Sequence, residues 1–265
     1  MTSRLDAELV RRGLAASRER AKEYIQSGSV LVNGSPAKKP SETVSADDDI
    51  VIVGDTLKYV GRGGLKLEEA LSSFGIDLSG KTCLDIGAST GGFTDCMLQH
   101  GARKVYAVDV GHGQLAEKLR SDARIVNIEG VNVKDLTPDM ISEPIDFVSA
   151  DLSFISVRYA ADAAGVILQS GGEAVLLIKP QFEAGRKYLS KTGVVRDKKA
   201  HIIVLESLCG YFQSIGFGIR GIVPSPIKGG DGNIEYLVYL VKPNSFTPQK
   251  FDYSAIVQTA FSQKG

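Results

Sequence analysis

The sequence predicts an α/β chain in two parts: a small α+β domain over residues 1–58, then a doubly wound, mostly parallel sheet over 59–265. Three observations carry this. From residue 62 onward, short apolar strands alternate with helix-like runs, the pattern of repeated βα units. The last two strands are joined by a loop without a helix, so the last strand turns back antiparallel. Residues 1–54 lack that alternation and hold two short helices and a few strands.

Residues 4–14 and 17–27 read as helices because Leu5, Leu9, Val10 and Leu14, then Ala21, Tyr24 and Ile25, recur at helical spacing. Gly13 and Gly28 punctuate their ends, and Ser17 is placed as an N-cap. VLVNG (Val30–Gly34) is a strand running into Asn-Gly, the strongest short turn signal. DDDIVIV supplies a further strand, and residues 55–61 form a linker. A helix over 64–74 turns Leu65, Ala70, Leu71 and Phe74 inward. Strands follow at TCLDI, KVYAVDV, RIVNI, IDFVSADL, AVLLIK, GIRGIVP and EYLVYLV. Helices at 93–100, 113–120, 156–169 and 197–215 lie between them, and SPIKGGDGN closes the final pair as a hairpin at the sheet edge.

Hydrophobic content of 43% and charge of 23% are ordinary for a globular protein. Equal numbers of basic and acidic residues, 31 each, give no whole-molecule attraction to a polyanion. Residues 1–40 depart from that balance, with eight Lys/Arg against four Asp/Glu. The three cysteines form no Cys-x-x-Cys pair and read as buried free thiols, and the three histidines are scattered. A metal site is therefore not expected. The first residues, MTSRLDAELVRR, have no apolar run behind them, and no stretch approaches the roughly 18 apolar residues of a membrane span. The expectation is a cytoplasmic protein with no membrane partner.

Ligands of doubly wound sheets bind at the carboxyl ends of the strands. The first such end is DIGASTGGFTD, where Asp85 leads into Gly87, Ser89, Thr90, Gly91, Gly92 and Phe93. Glycines remove the Cβ obstruction, so a ligand can approach the backbone. The spacing G-x-x-x-G-G is not the G-x-G-x-x-G of dinucleotide sites, and no Gly-Lys-Ser/Thr follows as in a P-loop. It suits S-adenosylmethionine better, with a nucleotide and a plain tight turn as alternatives. Asp109, about 20 residues beyond, is placed to take ribose hydroxyls of any adenosyl ligand. Asn132 either reaches an adenine edge or is a turn residue. Lys179 closes an almost wholly apolar strand, where an ammonium is costly to desolvate. It is either functional or a snorkelling strand-end lysine. Alone, Lys66 reads as a solvated helix lysine, and Glu235 means little.

Taken together, Lys66, Asp151, Lys179 and Glu235 occur in the order and context of the Lys-Asp-Lys-Glu tetrad of FtsJ-like RNA ribose 2′-O-methyltransferases. RGGLKLEEAL, DIGASTGGFTD, ADLSFIS, IKPQFE, KTGVVRD and GNIEYL resemble the TlyA family of ribosomal-RNA 2′-O-methyltransferases, also labelled hemolysin A. The N-terminal strings RLD, LVRRGLA and VLVNG are similar to that family's S-four-type RNA-binding domain. The resemblance spans nearly the whole chain. Its departures are small: Gly61 stands before Arg62 where the family often has Ser, and Met97 replaces a more usual aliphatic.

The resemblance implies a Rossmann-like methyltransferase fold, S-adenosyl-L-methionine as cofactor, and ribosomal RNA or a ribosomal subunit as partner, with a cytidine ribose as target. It implies cofactor contacts at Asp85, Gly87, Ser89, Thr90, Gly91, Gly92, Phe93, Asp109, Asn132 and Asp151. A ribose hydroxyl is a weak nucleophile, so methyl transfer to it needs deprotonation and in-line placement. A free lysine is neutral in only about one molecule in 2,500 at pH 7. Lys179 is expected as the base or hydroxyl-orienting group, with Asp151 aligning it and Lys66 and Glu235 shaping the ribose site.

Arg4, Arg11, Arg18, Arg20, Lys38 and Lys39 are expected to form a phosphate-contacting face, the alternative being a solvated helix face. Arg62, and Arg186, Lys191 and Arg196 in a loop at the active edge, are further candidate RNA contacts. Three other functions are weighed and disfavoured. A lytic role is disfavoured because the sequence shows no secretion signal, no spanning segment and no long basic amphipathic helix. An assembly factor without turnover would have no use for an intact tetrad. A nucleotide-dependent oxidoreductase conflicts with the glycine spacing.

Overall fold

A computed structural model describes residues 2–15, 17–26, 29–37, 39–52, 58–229, 232–242 and 249–263. The chain separates into two compact units, Met1–Arg62 and Gly63–Gly265. Of the expected linker, residues 55–57 lie outside the described residues, and 58–61 fall in the first unit.

The first unit runs β1 (Thr2–Arg4), α1 (Leu5–Arg11), α2 (Arg18–Gln26), β2 (Val30–Val32), β3 (Ser35–Pro36), β4 (Thr43–Ser45) and β5 (Ile50–Ile52). β1 pairs with β4, and β2 lies between β3 and β5. Asn33 and Gly34 both take positive φ, 51° and 77°, as a type I′ hairpin turn requires. Leu5, Leu9, Ala21 and Ile25 of the helices meet Val30, Val44 and Ile50 of the strands in a small core. α1 stops at Arg11, three residues before the expected end. Arg12 there sends its guanidinium to the carbonyls of Ser45, Ala46 and Asp48, and Gly13 turns to φ 69°. Residue 27 of the second expected helix lies outside the described residues.

The second unit begins with α3 (Gly63–Phe74), β6 (Thr82–Ile86), α4 (Gly92–Gln99), β7 (Lys104–Asp109), α5 (Glu117–Arg120), β8 (Ile125–Glu129) and β9 (Ile145–Ala150). It continues with α6 (Arg158–Ile167), β10 (Leu168–Ile178), α7 (Pro180–Glu183), α8 (Lys198–Ser214), β11 (Gly218–Pro224), β12 (Tyr236–Val241) and α9 (Tyr253–Ser262). The strands form one sheet in the order β11-β12-β10-β9-β6-β7-β8. β12 runs antiparallel to both neighbours, while β10, β9, β6, β7 and β8 pair parallel. Chain order reverses between β6 and β9, which opens the crevice where ligands of doubly wound sheets sit. Because β12 is reversed, its start lies at the same edge as the ends of the parallel strands. Tyr236 pairs with Ile178, so Glu235 and Lys179 arrive side by side.

Several elements differ from expectation. β10 starts at Leu168 rather than Ala174, with an irregularity between Leu168 and Glu173, so α6 ends at Ile167. The helix expected over 113–120 shrinks to one turn, because Gly113 sits at φ 66° ahead of it. On α3, Leu65 is only half-buried, while Leu67 and Lys66 are buried. α9, which packs on α8 and β11, carries no signal that the sequence reading used. All three cysteines are buried and free. Among the described residues, no helix is long and apolar enough to cross a membrane.

Candidate active site

A cavity of about 570 Å³ opens at the switch point. Its floor is the turn after β6. Gly87 sits there at φ 81°, and a Cβ on it would lie 2.7 Å from the Asp151 carbonyl oxygen, so only glycine fits. Ser89 also takes a positive φ, 50°, and its N–H donates to Asp109 Oδ2 at 2.8 Å. The Gly111 N–H donates to Asp109 Oδ1 at 2.7 Å. Asp109 thus clamps two loops together while lining the cavity, and a carboxylate has about four lone-pair positions, so capacity remains for ribose hydroxyls. Asn132 is a turn residue that also faces the cavity. It lines the cavity and accepts from the Lys134 N–H at 3.1 Å, capping a short 3-10 turn.

The other expected cofactor residues stand outside this lining. Asp85 is fully buried beneath the loop, where Thr94 Oγ1 and Ser149 Oγ donate to it at 2.7 and 2.9 Å. Burial pushes its carboxyl up to about 6. Gly91, at φ 97°, and Gly92 start α4, and a Cβ on Gly92 would lie 3.0 Å from the Gly64 backbone nitrogen. Gly92 serves the packing of α4 on α3, and Gly91 supplies the left-handed turn ahead of it. The Thr90 carbonyl accepts from the Ala116 N–H, and Phe93 is buried. Sequence reasoning passed over the apolar walls Val110, Val131, Leu152 and Ile155, and over Gln114, Ser153 and Phe154. The available signal was an apolar residue directly after a strand-end acid, as in Asp109-Val110 and Asp151-Leu152.

Beside the cavity the four tetrad residues form one chain of ion pairs. Lys66 Nζ lies 2.6 Å from Glu235 Oε2 and 3.7 Å from Asp151 Oδ2. Lys179 Nζ lies 2.5 Å from Asp151 Oδ1 and donates to Ser153 Oγ at 3.0 Å. Lys66, Lys179 and Glu235 are each less than a tenth exposed. Lys66 is not a solvated helix lysine: it is buried, and Glu235 supplies a buried counter-charge. Two cations and two anions balance, and removing either partner of a buried pair strands the other charge. Asp151 belongs to both constructions: it lines the cavity and contacts both lysines. Glu235 is wrapped by the loop before β12, where a Cβ on Gly229 would fall 2.1 Å from Glu235 Oε1. His201, fully buried, contacts the Tyr236 hydroxyl at 2.8 Å and the Val195 carbonyl at 3.0 Å. It ties the loop bearing Arg196 to the strand that follows Glu235, and burial lowers its pKa.

In the first unit, Arg4 and Arg18 both donate to the buried Asp6, and Arg11 donates to the buried Glu8. These guanidinium groups hold both carboxyls well below the usual carboxylate range. The three arginine side chains remain half-exposed or more, so the acids orient them without hiding them. Arg20 donates to the Val60 carbonyl and lies over the Tyr24 ring. Lys39 is exposed, Arg62 is half-buried, and Lys38 lies outside the described residues. Arg186, Lys191 and Arg196 are exposed in the second unit. Among the described residues, no group of three His, Cys, Asp or Glu is arranged to hold a metal ion.

A switch-point cavity sharing an acid with a buried lysine is the layout of a methyltransferase, and residues 59–242 match the FtsJ-like methyltransferase family. Residues 3–50 match the S4 domain. The chain belongs to the TlyA family. It is 44% identical over 239 residues to the 16S/23S rRNA (cytidine-2′-O)-methyltransferase TlyA of Mycobacterium tuberculosis, covering 90% of this chain and 89% of that one. It is equally 44% identical to Hemolysin A of Brachyspira hyodysenteriae, covering 90% and 99%. A hemolysin-named structure from Streptococcus thermophilus is 42% identical, with a TM-score of 0.79 over 98% of this chain and 96% of the other.

Two outcomes are expected from this geometry. Ionising Asp85 costs the fold, because its folded pKa lies above the usual 3.8 at about 6. That cost is absent below about pH 4 and fully present above about pH 6. Asp85→Asn should therefore gain stability relative to the unaltered protein as pH rises from 4 to 7, by up to about 3 kcal/mol in urea unfolding. A pH-independent difference would show that Asp85 does not titrate in the fold. Gly229→Ala should push Glu235 off Lys66 and lower kcat for methyl transfer at least about tenfold, with the cavity still binding its ligand in calorimetry.

Proposed function

We propose that this chain transfers the methyl group of S-adenosyl-L-methionine to the 2′-hydroxyl of a cytidine ribose in ribosomal RNA. One observation carries the reading: Asp151 lines the cavity and also holds Lys179 and Lys66, so donor and base meet at one side chain. The cavity suits an adenosyl ligand. Its walls are apolar, Asp109 and Asn132 offer polar partners for ribose and adenine, and the bare backbone at Gly87 accepts the amino-acid end. When bound, that cofactor supplies a methyl group on a sulfonium.

The chain's own residues do the rest. Lys179 Nζ, aimed by Asp151 and Ser153, orients the 2′-hydroxyl and, once it has released its own extra proton to solvent, takes the hydroxyl proton. Lys66, fixed between Glu235 and Asp151, shapes the ribose site. Phe154 is 91% exposed at the cavity wall and offers a bare aromatic face of the kind on which unstacked RNA bases lie. Residues 1–58 would bind RNA backbone through Arg4, Arg11, Arg18, Arg20, Lys38 and Lys39, with affinity that falls as salt rises. Arg62, Arg186, Lys191 and Arg196 would hold the substrate strand within the 59–265 methyltransferase domain. The cytidine target follows the relatives of Mycobacterium tuberculosis and Campylobacter jejuni, both named as rRNA (cytidine-2′-O)-methyltransferases. The reaction belongs in the cytoplasm, with the ribosome.

Lys179→Ala should lose at least about a hundredfold in methyl transfer from labelled S-adenosylmethionine to ribosomal subunits. Calorimetric cofactor affinity and RNA binding in gel shift should stay within about threefold. Retained turnover would remove Lys179 from the base role, and calorimetric binding of NAD in place of S-adenosylmethionine would overturn the cofactor.

A further inference from the structure

Two segments of the active site run side by side. One is the wall of the cavity, Asp151–Val157, leading into α6. The other is Lys179 followed by α7, Pro180–Glu183. They are laced by contacts at successive positions. Lys179 meets Asp151 and Ser153. The Phe182 ring lies 5.2 Å from the Phe154 ring, tilted by 46°. Glu183 closes the series, accepting from Ser156 Oγ and from the Val157 N–H, both at 2.8 Å.

Within this lacing Phe154 adopts φ 65°. For an aromatic residue that is an outlier, and it persists only where the surroundings impose it. The upstream end of the wall is held by the Asp151 N–H bonded to the Ile86 carbonyl at 3.1 Å. The downstream end has Glu183. A loop held at both ends cannot relax its middle, and its middle is Ser153, which touches Lys179, and Phe154, whose ring is open to the crevice.

We infer that Glu183 is a positioning residue: by anchoring Ser156 and Val157 it keeps Phe154 left-handed and Ser153 against Lys179. It acts through the loop and touches no reacting atom. The inference rests on the methyl-transfer reading for its kinetic consequence, but not for its structural one.

The test uses the full chain with Glu183→Ala, Glu183→Gln and Ser156→Ala. Hydrogen exchange should show the amides of 151–157 in Glu183→Ala exchanging at least about tenfold faster, with the rest of the sheet unchanged. In methyl transfer to ribosomal subunits, kcat should fall about tenfold while the calorimetric dissociation constant for S-adenosylmethionine rises less than about threefold. Glu183→Gln keeps a carbonyl that can accept from Val157 and should recover most of kcat, and Ser156→Ala should fall between. Unchanged exchange in 151–157 would overturn the inference, as would a kcat loss that merely tracks lost folded protein. If the unaltered protein transfers no methyl group, the proposed function fails while the exchange result still decides the role of Glu183.

Discussion

Four charges linked in one chain of ion pairs govern the second unit: Glu235, Lys66, Asp151 and Lys179, all buried but the half-buried Asp151. None of the two lysines or Glu235 has the water that would make its charge cheap, and each is tolerable only because the next one is present. This explains why elements far apart in sequence must converge. Lys66 comes from the helix before the sheet, Asp151 and Lys179 from the ends of two parallel strands, and Glu235 from the start of the reversed strand. Reversal of β12 is what puts an N-terminal residue at an edge otherwise made of C-terminal ends. A parallel last strand would carry Glu235 to the opposite edge and remove the nearer of the two counter-charges of Lys66.

The neighbouring cavity depends on the same convergence through Asp151. Around it, Gly87 lets the loop pass under the Asp151 carbonyl, and Asp109 uses both oxygens to tie two loops. Strain is concentrated at Ser89 and Phe154, both with positive φ and both on the cavity wall. Conformations of that kind survive where flanking bonds over-determine them.

Strand ends were the legible part of the site. An acid or lysine closing an apolar run is conspicuous, and apolar runs set between helix-like stretches located the strands of the sheet. The burial of Lys66 was not legible from its own helix, because only its partner 169 residues away explains it. Its place in the tetrad came from resemblance, not spacing. The glycine loop was only half legible. A run of small residues says that something approaches closely, but at Gly87 that something is the cavity and the Asp151 carbonyl, whereas at Gly92 it is α3. Asp85 looked like a ligand contact because it ends a strand, yet two hydroxyls hold it below the floor. Tertiary pairing also moved boundaries that local pattern drew, as at the early start of β10.

A charge network that handles a ribose hydroxyl leaves the methyl group on the sugar. The position of the transferred methyl group tests this most directly. Ribosomal subunits from cells lacking the protein, incubated with it and methyl-deuterated S-adenosylmethionine, can be digested to nucleosides and separated by mass spectrometry. The deuterated methyl is expected on the sugar fragment of cytidine. A label on a base fragment, or none above the Lys179→Ala control, would contradict it.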